Sequence, residues 1–286
     1  MKQRDFYQAL YQTLQGGGRG LTVPQPPLAE LARTLSSSRR ALVLTGFPID
    51  CGDYVIGETD GPCGAAEIAR VLTALGCQVT VVTDAPSIPL LRAALAQTAP
   101  AARLEEAPME DTEAFARTLW EQLQPDLFLS IERPGKASNG HFHNMRGTVI
   151  DAMTADTDCL LALAAERGCV TVAIGDGGNE LGMGALLPQI AAGVPHGAEI
   201  GAVLPAQYTL GAGVSNWWGP GLAALLSHET GRNLMLTPEE DRALLQAVVN
   251  AGAVDGCTKE RALSVDSYPV SVQLDLRRRL AELCGL

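Results

Sequence analysis

The sequence lacks any cysteine arrangement that would indicate a disulfide framework or a zinc site. Its seven cysteines are scattered and odd in number, and none of them are spaced as C-x-x-C. Regular Cys spacings are what disulfide scaffolds and zinc fingers require. We therefore interpret the cysteines as reduced thiols, several of them in apolar surroundings where Cys behaves as a small hydrophobic residue.

Long hydrophobic segments are also missing. No apolar run approaches the roughly 18 residues that are needed to cross a bilayer. The N-terminus lacks the charged and then apolar pattern of a signal peptide. We therefore expect a cytoplasmic protein without a membrane partner.

Positive charge is scarce. Lys and Arg number 21 against 32 Asp and Glu, which gives a formal net charge of -11. Because such a charge repels nucleic acid and anionic lipid, we expect neither as a partner. The chain has no P-loop ending in Gly-Lys-Ser/Thr and no clean G-x-G-x-x-G that opens a helix directly after a strand. No nucleotide cofactor is expected, and a nucleotide-dependent enzyme is a weak alternative.

The chain is rich in apolar residues, 47% of the total, which occur in an alternation of short strands and helices. Short, continuously apolar strands separated by helices are typical of a parallel sheet that is covered on both faces. The pattern predicts a three-layer α/β/α fold with a mostly parallel, Rossmann-like sheet. Strands are predicted at 41–45, 78–83, 126–131 and 169–174, with weaker ones near Arg103 and Ala202, and helices at 64–75, 88–97, 112–123, 151–167, 187–192, 222–229, 238–250 and 271–283.

The organisation along the chain predicts one main domain. Residues 1–40 are expected to form a helical lead-in and linker, with helices at 6–14 and 28–35. Between these helices, glycine-rich and then proline-rich stretches predict a connector. Residues 41–286 are expected to form the α/β domain.

Three loops that follow predicted strands are rich in glycine and in polar side chains. They begin after Thr45, Ile131 and Ile174. Any one of them could be only a tight turn or a helix cap, since Gly, Asp and Asn favour both. Ligands bind beyond the carboxyl ends of parallel strands, so three such loops at one edge of a sheet indicate a binding site.

The loops indicate an anionic ligand. Glycine N–H groups and helix N-termini can bind a carboxylate. Arg133 and Arg146 offer planar guanidinium groups for the same purpose, or they could pair with Glu132 and Asp151.

A metal ion is a further option that the sequence leaves open. Four acidic residues of these loops could act as general bases or together hold magnesium or manganese, because hard cations prefer oxygen ligands. These residues are Glu58, Asp60, Asp176 and Glu180. A zinc site is not expected, because His141 and His143 have no third ligand at zinc spacing.

Two later features are interpreted as structural. Trp217 and Trp218 stand beside Gly and Pro, a composition more typical of a packed turn than of a stacking platform. Lys259, in a loop-like segment, could reach the site, but exposure at the surface is the preferred interpretation.

Four motifs in these loops occur in a fixed order, G-E-T-D-G-P-C-G-A at 57–65, S-I-E-R-P-G at 130–135, N-M-R-G at 144–147 and G-D-G-G-N-E-L-G-M-G at 175–184. Together they resemble the C-terminal domain of the D-glutamate cyclase family, over about Leu42 to the C-terminus. The resemblance implies conversion of D-glutamate to 5-oxo-D-proline with loss of water, a carbon-oxygen lyase (hydro-lyase) reaction. We expect this chain to lack the further N-terminal domain of some family members, so whether it catalyses the reaction alone stays open.

The implied reaction gives the candidate residues their roles. The amine must lose a proton to become a nucleophile, and Asp60, Glu132 or Asp176 could serve as base. His143 or Glu180 could protonate the departing oxygen. The oxyanion could be stabilised by the backbone N–H groups around Gly177 and Gly178, by Arg133 or by a metal. The residues expected to bind the substrate are Glu58, Thr59, Gly61, Arg133, Asn144, Arg146, Gly177, Gly178 and Asn179.

A non-catalytic binding module is the alternative from a different class. The same loops could hold an acidic amino acid or a phosphorylated metabolite without transforming it. A small acidic molecule is the expected partner in either case, and assembly into a homo-oligomer is left open. The concentration of titratable groups in one set of loops favours catalysis.

Overall fold

The computed structural model describes residues 3–16, 18–19, 21 and 23–286. Gly17, Gly20 and Thr22 of the predicted connector lie outside the described residues. The strands are β1 (Arg40–Thr45), β2 (Pro48–Asp50), β3 (Val55–Gly57), β4 (Gln78–Thr83), β5 (Arg103–Glu106), β6 (Leu127–Ile131), β7 (Val170–Gly175), β8 (Tyr208–Gly211), β9 (Ser264–Val265) and β10 (Tyr268–Pro269).

The helices are α1 (Gln3–Leu14), α2 (Leu28–Ser37), α3 (Pro62–Ala74), α4 (Ile88–Thr98), α5 (Thr112–Leu123), α6 (Asp158–Glu166), α7 (Leu187–Gly193), α8 (Gly197–Ile200), α9 (Trp218–Thr230), α10 (Pro238–Asn250) and α11 (Val270–Cys284). In the part of the chain that the structure describes, none of them is both long enough and apolar enough to cross a membrane. All seven cysteines are free thiols, as predicted.

Six strands form one parallel sheet in the order β5-β4-β1-β6-β7-β8. In the middle of β1, Val43 pairs with Val81 of β4 on one side and with Leu129 of β6 on the other. The strand order reverses between β1 and β6, which is the point where open α/β sheets form a crevice at their carboxyl edge.

Successive residues of β1 point to opposite faces of this sheet. Val43 packs in a large core with side chains of α3, α4, α9, α10 and α11. Leu42 and Leu44 pack in a second core with α5 and α6. Because both faces are covered, the strand is continuously apolar from Ala41 to Leu44, and each buried aliphatic side chain contributes about 1.5–3 kcal/mol. The prediction of a three-layer fold with a mostly parallel sheet is confirmed.

The two N-terminal helices pack on the large core. Phe6 and Leu10 of α1 and Leu31 of α2 are buried in the same cluster as the sheet residues. The helix predictions for this part of the chain are confirmed. The boundary at residue 40 stays a prediction about domain organisation.

The single helix predicted at 151–167 is wrong in its first half. A short turn at Asp151–Met153 is followed by irregular chain, and α6 begins only at Asp158. Between them, the N–H of Ala155 donates to Asp84 Oδ2 (3.2 Å), and Arg133 Nη2 donates to the carbonyl of Ala155 (2.6 Å). Buried side chains therefore bind the backbone groups that a continuous helix would pair internally.

The strand predicted near Ala202 is also wrong, since the last strand of the sheet is β8. The N–H of Ala202 bonds to the carbonyl of Gly178 (3.0 Å), which ties this segment to a loop instead of the sheet. The weak strand near Arg103 is confirmed as β5. The helix predicted at 222–229 begins earlier, at Trp218, whose buried indole donates to the carbonyl of Gly211 (3.0 Å). Trp218 is therefore structural, as predicted.

Candidate active site

Three buried carboxylates meet beyond the carboxyl edge of the sheet. Asp60, Glu132 and Asp176 each offer one oxygen, and these oxygens lie within 4.8 Å of one another. Asp60 stands between β3 and α3, Glu132 follows β6, and Asp176 follows β7. Since β1, β6 and β7 are neighbours in the sheet, the predicted convergence of the three loops is seen in the structure.

Asp60 is held by backbone N–H groups. Its Oδ1 accepts from Gly61 (2.9 Å) and Asn216 (2.7 Å), and its Oδ2 accepts from Ser215 (3.1 Å). Burial, followed by the nearby carboxylate of Asp266, raises the pKa of Asp60 to about 7. Asn216 also accepts from Gly61 and Gly64 through its side chain, so it fixes the start of α3. The sequence analysis missed Ser215 and Asn216, which precede α9.

Glu132 adopts a backbone conformation that non-glycine residues rarely take. Its φ is 42°, in the left-handed region, and its side chain is buried. The hydroxyl of Ser215 donates to Oε2 (2.5 Å). Burial, and next the carboxylate of Asp60, raises the pKa of Glu132 well above its ordinary value. Backbone strain of this kind persists where the surroundings enforce it, often at functional sites.

Asp176 is fully buried, and neither of its side-chain oxygens accepts a hydrogen bond from a described residue. Arg19 Nη1 lies 3.2 Å from Oδ1 and forms an ion pair with it. Burial raises the pKa of Asp176 well above its ordinary value, and the Arg19 guanidinium acts in the opposite direction. Among the described residues, the ion pair with Arg19 is therefore the polar contact of this buried carboxyl group.

Arg19 brings the N-terminal connector into the site. Its Nη2 also lies 2.6 Å from Oδ1 of Asp266, a residue with φ of 50° in the turn between β9 and β10. The Arg19 guanidinium therefore links the loop after β7 to the hairpin formed by β9 and β10. The sequence predicts only a linker in this region, and the arginine between two glycines is the feature that could have indicated a role in the site.

Glu58 is buried beside the three carboxylates and lies against Gly256. A Cβ at residue 256 would be 1.6 Å from Oε2 of Glu58, so a larger residue there would require the Glu58 carboxylate to move. Burial, and next the carboxylate of Asp266, raises the pKa of Glu58 well above its ordinary value.

A cavity of about 350 Å³ opens beside the carboxylates. Glu58 and Glu132 belong to its wall, whereas Asp60 and Asp176 do not. Lys259 is exposed, as predicted, and nevertheless lines this cavity, where its Nζ donates to the carbonyl of Asp50 (2.6 Å). The charged and polar lining comprises Arg19, Asp50, Glu58, Glu132, Asn144, Arg146, Thr148 and Lys259, and the apolar lining includes Phe47, Ile49, Met145 and Met153.

In the glycine-rich loop after β7, the side chain of Glu180 folds back and binds the backbone N–H groups of the same loop. The carboxylate of Glu180 accepts from the N–H groups of Asp176 (2.9 Å), Gly177 (2.7 Å) and Gly178 (2.5 Å). In this structure the N–H groups of Gly177 and Gly178 therefore bind Glu180. The predicted roles of these N–H groups at an oxyanion and of Glu180 as a proton donor stay predictions.

His143 and Asn179 connect the 139–147 loop to the glycine loop. His143 is buried, its Nδ1 lies 3.1 Å from the carbonyl of Gly147, and it does not line the cavity. The side-chain amide of Asn179 donates to the carbonyl of His143 (2.8 Å). Both residues therefore support the loops around the cavity, and the role of His143 in protonating the leaving oxygen stays a prediction.

Asn144 shapes the loop that carries Arg146. Its Oδ1 accepts from the N–H groups of Arg146 (2.9 Å) and Thr148 (3.1 Å), and the Arg146 side chain is exposed at the cavity. Of the two arginines proposed from the sequence, Arg146 is therefore the one that can reach a ligand.

Arg133 is fully buried and its guanidinium is committed to the protein. It pairs with Asp84 (2.7 Å) and also donates to the hydroxyl of Thr157 (3.0 Å) and to the carbonyls of Gly46 (3.2 Å) and Ala155 (2.6 Å). Four of its hydrogen bonds go to three neighbouring segments of the chain. Binding of a ligand carboxylate by Arg133 stays a prediction.

Thr59 and Gly61 have structural roles beside Asp60. The Thr59 hydroxyl donates to the carbonyl of Ser264 (2.9 Å). Gly61 has φ of 93°, and a Cβ there would lie 2.7 Å from Oγ1 of Thr45. These two residues hold Asp60 in place and do not line the cavity.

Comparison with known proteins agrees with the loop motifs. A family model described as D-glutamate cyclase-like, C-terminal, matches residues 10–281. The human protein named "D-glutamate cyclase, mitochondrial" is 32% identical over 225 residues, which is 73% of this chain. The matched stretch is 36% of that protein, so the chain spans about a third of the length of this curated relative.

Proposed function

The chain belongs to the D-glutamate cyclase-like family, and we propose that it converts D-glutamate to 5-oxo-D-proline with loss of water. The proposal assigns it to the carbon-oxygen lyases that eliminate water. One observation carries it: a single cavity presents carboxylates and cationic side chains together. D-glutamate itself combines one ammonium group with two carboxylates.

The substrate's charges find complementary groups in this cavity. The ammonium group is drawn to the buried carboxylates, of which Glu132 reaches the wall. The two substrate carboxylates are drawn to Arg19, Arg146 and Lys259. Oppositely charged groups at one site orient the substrate, and orientation brings the amine within reach of the γ-carboxyl carbon.

The reaction forms one C–N bond and breaks one C–O bond. The ammonium nitrogen loses two protons in becoming the lactam N–H, and the departing oxygen gains two protons and leaves as water. Glu58 lies on the cavity wall, so we propose that it accepts the two protons from nitrogen one after the other and passes each of them to the leaving oxygen. Asp60 and Asp176 lie behind the cavity wall. They act on the substrate through the electrostatic field of the carboxylate cluster formed by Asp60, Glu132 and Asp176.

The experiment is to incubate the purified chain with D-glutamate, L-glutamate or 5-oxo-D-proline and to follow each by chiral chromatography with mass spectrometry. Formation of 5-oxo-D-proline from D-glutamate supports the proposal. Absence of interconversion in both directions, by protein that is folded by circular dichroism, rejects it for this chain.

A binding module for an acidic amino acid is the second candidate. One observation favours it: Glu180 accepts hydrogen bonds from the N–H groups of Gly177 and Gly178, so the donors predicted to bind an oxyanion are occupied in this structure. Calorimetric binding of D-glutamate without product formation would select this function. A phosphorylated metabolite is a poorer ligand, because its charge is repelled by the carboxylate cluster.

Two further predictions accompany this function as proposals. We propose a cytoplasmic location, although the name of the human relative places that protein in mitochondria. We also propose that residues 41–286 form the catalytic domain, with the preceding helices packed on its core.

A further inference from the structure

Arg19 belongs to the N-terminal connector, and its side chain forms part of the cavity wall. The chain before Arg19 is fixed to the end of β8, the edge strand of the sheet. The N–H of Gly213 donates to the carbonyl of Leu14 (2.9 Å), and the side-chain amide of Gln15 donates to the carbonyl of Gly211 (2.8 Å). These contacts hold the connector at the carboxyl edge of the sheet.

The chain after Arg19 is fixed to the same strand. Val23 is buried, and its carbonyl accepts a hydrogen bond from the hydroxyl of Tyr11. A Cβ at Gly211 would lie 2.2 Å from Cγ2 of Val23, so the Val23 side chain packs directly on the backbone there. Because the connector is anchored on both sides of Arg19, the fold itself brings this guanidinium to the cavity.

Two acidic residues orient the guanidinium of Arg19. Its Nη1 lies 3.2 Å from Oδ1 of Asp176, and its Nη2 lies 2.6 Å from Oδ1 of Asp266. The turn that carries Asp266 is itself fixed, because the N–H of Ser267 donates to the buried carboxylate of Asp255 (2.8 Å). A guanidinium has more N–H donors than these two ion pairs use, so the oriented group can also donate to a ligand.

The other cationic side chains of the cavity wall are Arg146 and Lys259, and different segments hold them. The Nζ of Lys259 donates to the carbonyl of Asp50 (2.6 Å), and Arg146 lies in the turn after Asn144. Among the residues that the structure describes, Arg19 is the cation of this wall that forms ion pairs with buried carboxylates. The cations of the cavity therefore fall into two sets, one paired with the acids and one not.

The two ends of D-glutamate differ in the same way. The ammonium group and the α-carboxylate share a carbon atom, whereas the γ-carboxylate lies at the other end of the molecule. If the buried acids attract the ammonium group, the α-carboxylate must lie beside those acids too, and Arg19 is the cation there. We propose that Arg19 binds the α-carboxylate of the substrate and that Arg146 binds the γ-carboxylate. The inference rests on D-glutamate being the molecule that this cavity binds.

Two probes with one carboxylate each test this assignment. D-α-aminobutyrate keeps the ammonium group and the α-carboxylate of D-glutamate, and γ-aminobutyrate keeps the ammonium group and the γ-carboxylate. Arg19→Gln should weaken binding of D-α-aminobutyrate about tenfold or more, the usual effect of losing a charge-assisted hydrogen bond, and should change binding of γ-aminobutyrate little. Arg146→Gln should have the opposite pattern. Ligand-observed NMR titration of the intact chain gives the dissociation constants.

The matched control is Arg117→Gln. Arg117 is exposed, pairs with Glu113 and lies outside the cavity, so this variant should bind both probes as the natural chain does. Arg19→Lys keeps the positive charge and loses the planar fork, so it should recover part of the affinity for D-α-aminobutyrate. A purely structural role of Arg19 would weaken both probes alike and would not separate them.

Several results would overturn the proposal. It fails if the natural chain binds neither probe, if Arg19→Gln weakens both probes equally, or if the two variants exchange their expected patterns. Circular dichroism checks folding, and should Arg19→Gln not fold, Arg19→Lys and the exposed Arg146→Gln still give the two opposite patterns. The probes report binding without turnover. The expected pattern in a chain that does not convert D-glutamate would therefore reject the proposed reaction and retain this assignment.

Discussion

The carboxylate of Glu58 occupies the space that a side chain at Gly256 would need. A Cβ there would come within 1.6 Å of Oε2 of Glu58, whereas real Cβ contacts essentially never fall below about 3 Å. Gly256 thus allows the Glu58 carboxyl group its position on the cavity wall. The two residues are 198 positions apart in sequence, from 58 to 256.

Gly256→Ala should displace Glu58 and reduce turnover of D-glutamate by about tenfold or more, because small misplacements of a reacting group are costly. The measurement is kcat and KM, with circular dichroism as a check on folding. Gly16→Ala is the control, since a Cβ at Gly16 meets nothing within 4 Å. Unchanged kcat in Gly256→Ala would mean that the position of Glu58 does not matter to the reaction.

Glu58→Gln should lower kcat by about 100-fold or more and change KM little, since proton transfer by a positioned side chain contributes on that order. Steady-state kinetics with D-glutamate separates the two constants. Glu260→Gln makes the same substitution at an exposed site in a nearby loop and should leave both constants unchanged. If the two variants are equally active, Glu58 has no part in moving protons.

Arg133→Met should lower the free energy of unfolding by about 3–5 kcal/mol, because it leaves the buried Asp84 carboxylate without its cation. Urea denaturation measures the loss. Arg117→Ala removes an exposed partner of Glu113 and should change stability by less than about 0.5 kcal/mol. A near-neutral Arg133→Met with a large rise in KM would instead return Arg133 to the substrate site.

The strands and helices that form the layers of this fold could be predicted because each is indicated by a short, local pattern of apolar residues. Every residue of β6 is buried and all but Ser130 are apolar, so the strand stands out from its surroundings in the sequence. The helix break before α6 could not be predicted, since it depends on Asp84 and Arg133, which are distant in sequence from Ala155.

For the site, the sequence indicated the correct edge of the sheet but not the partners of each side chain. Asp60, Glu132 and Asp176 were placed together by the rule that loops after parallel strands converge. Residue type alone does not show that Glu180 folds back onto its own loop or that Arg19 reaches Asp176 across the molecule. These contacts form only once the chain is folded, and they decide which polar residues face a ligand.

Asp158 should make the stability of the protein depend on pH. Burial raises its pKa from 3.8 to about 6, and the N–H of Lys136 bonds to Oδ2 (3.1 Å). Because the folded pKa exceeds the unfolded one, the protonated carboxyl favours the folded state. That contribution is complete below about pH 4 and is lost as the pH rises through about 6.

Asp158→Asn cannot lose a proton, so its stability relative to the natural chain should rise between about pH 4 and about pH 7, by up to about 3 kcal/mol at 1.4 kcal/mol per pKa unit. Urea denaturation of the two proteins across this range gives the difference directly, and pH effects from other carboxyls cancel in it. Ala162→Ser is a non-titrating change on the exposed side of the same helix and should give a difference that is flat with pH. A flat difference for Asp158→Asn as well would show that Asp158 titrates alike in the folded and unfolded chains, because only a pKa that changes on folding couples proton binding to stability.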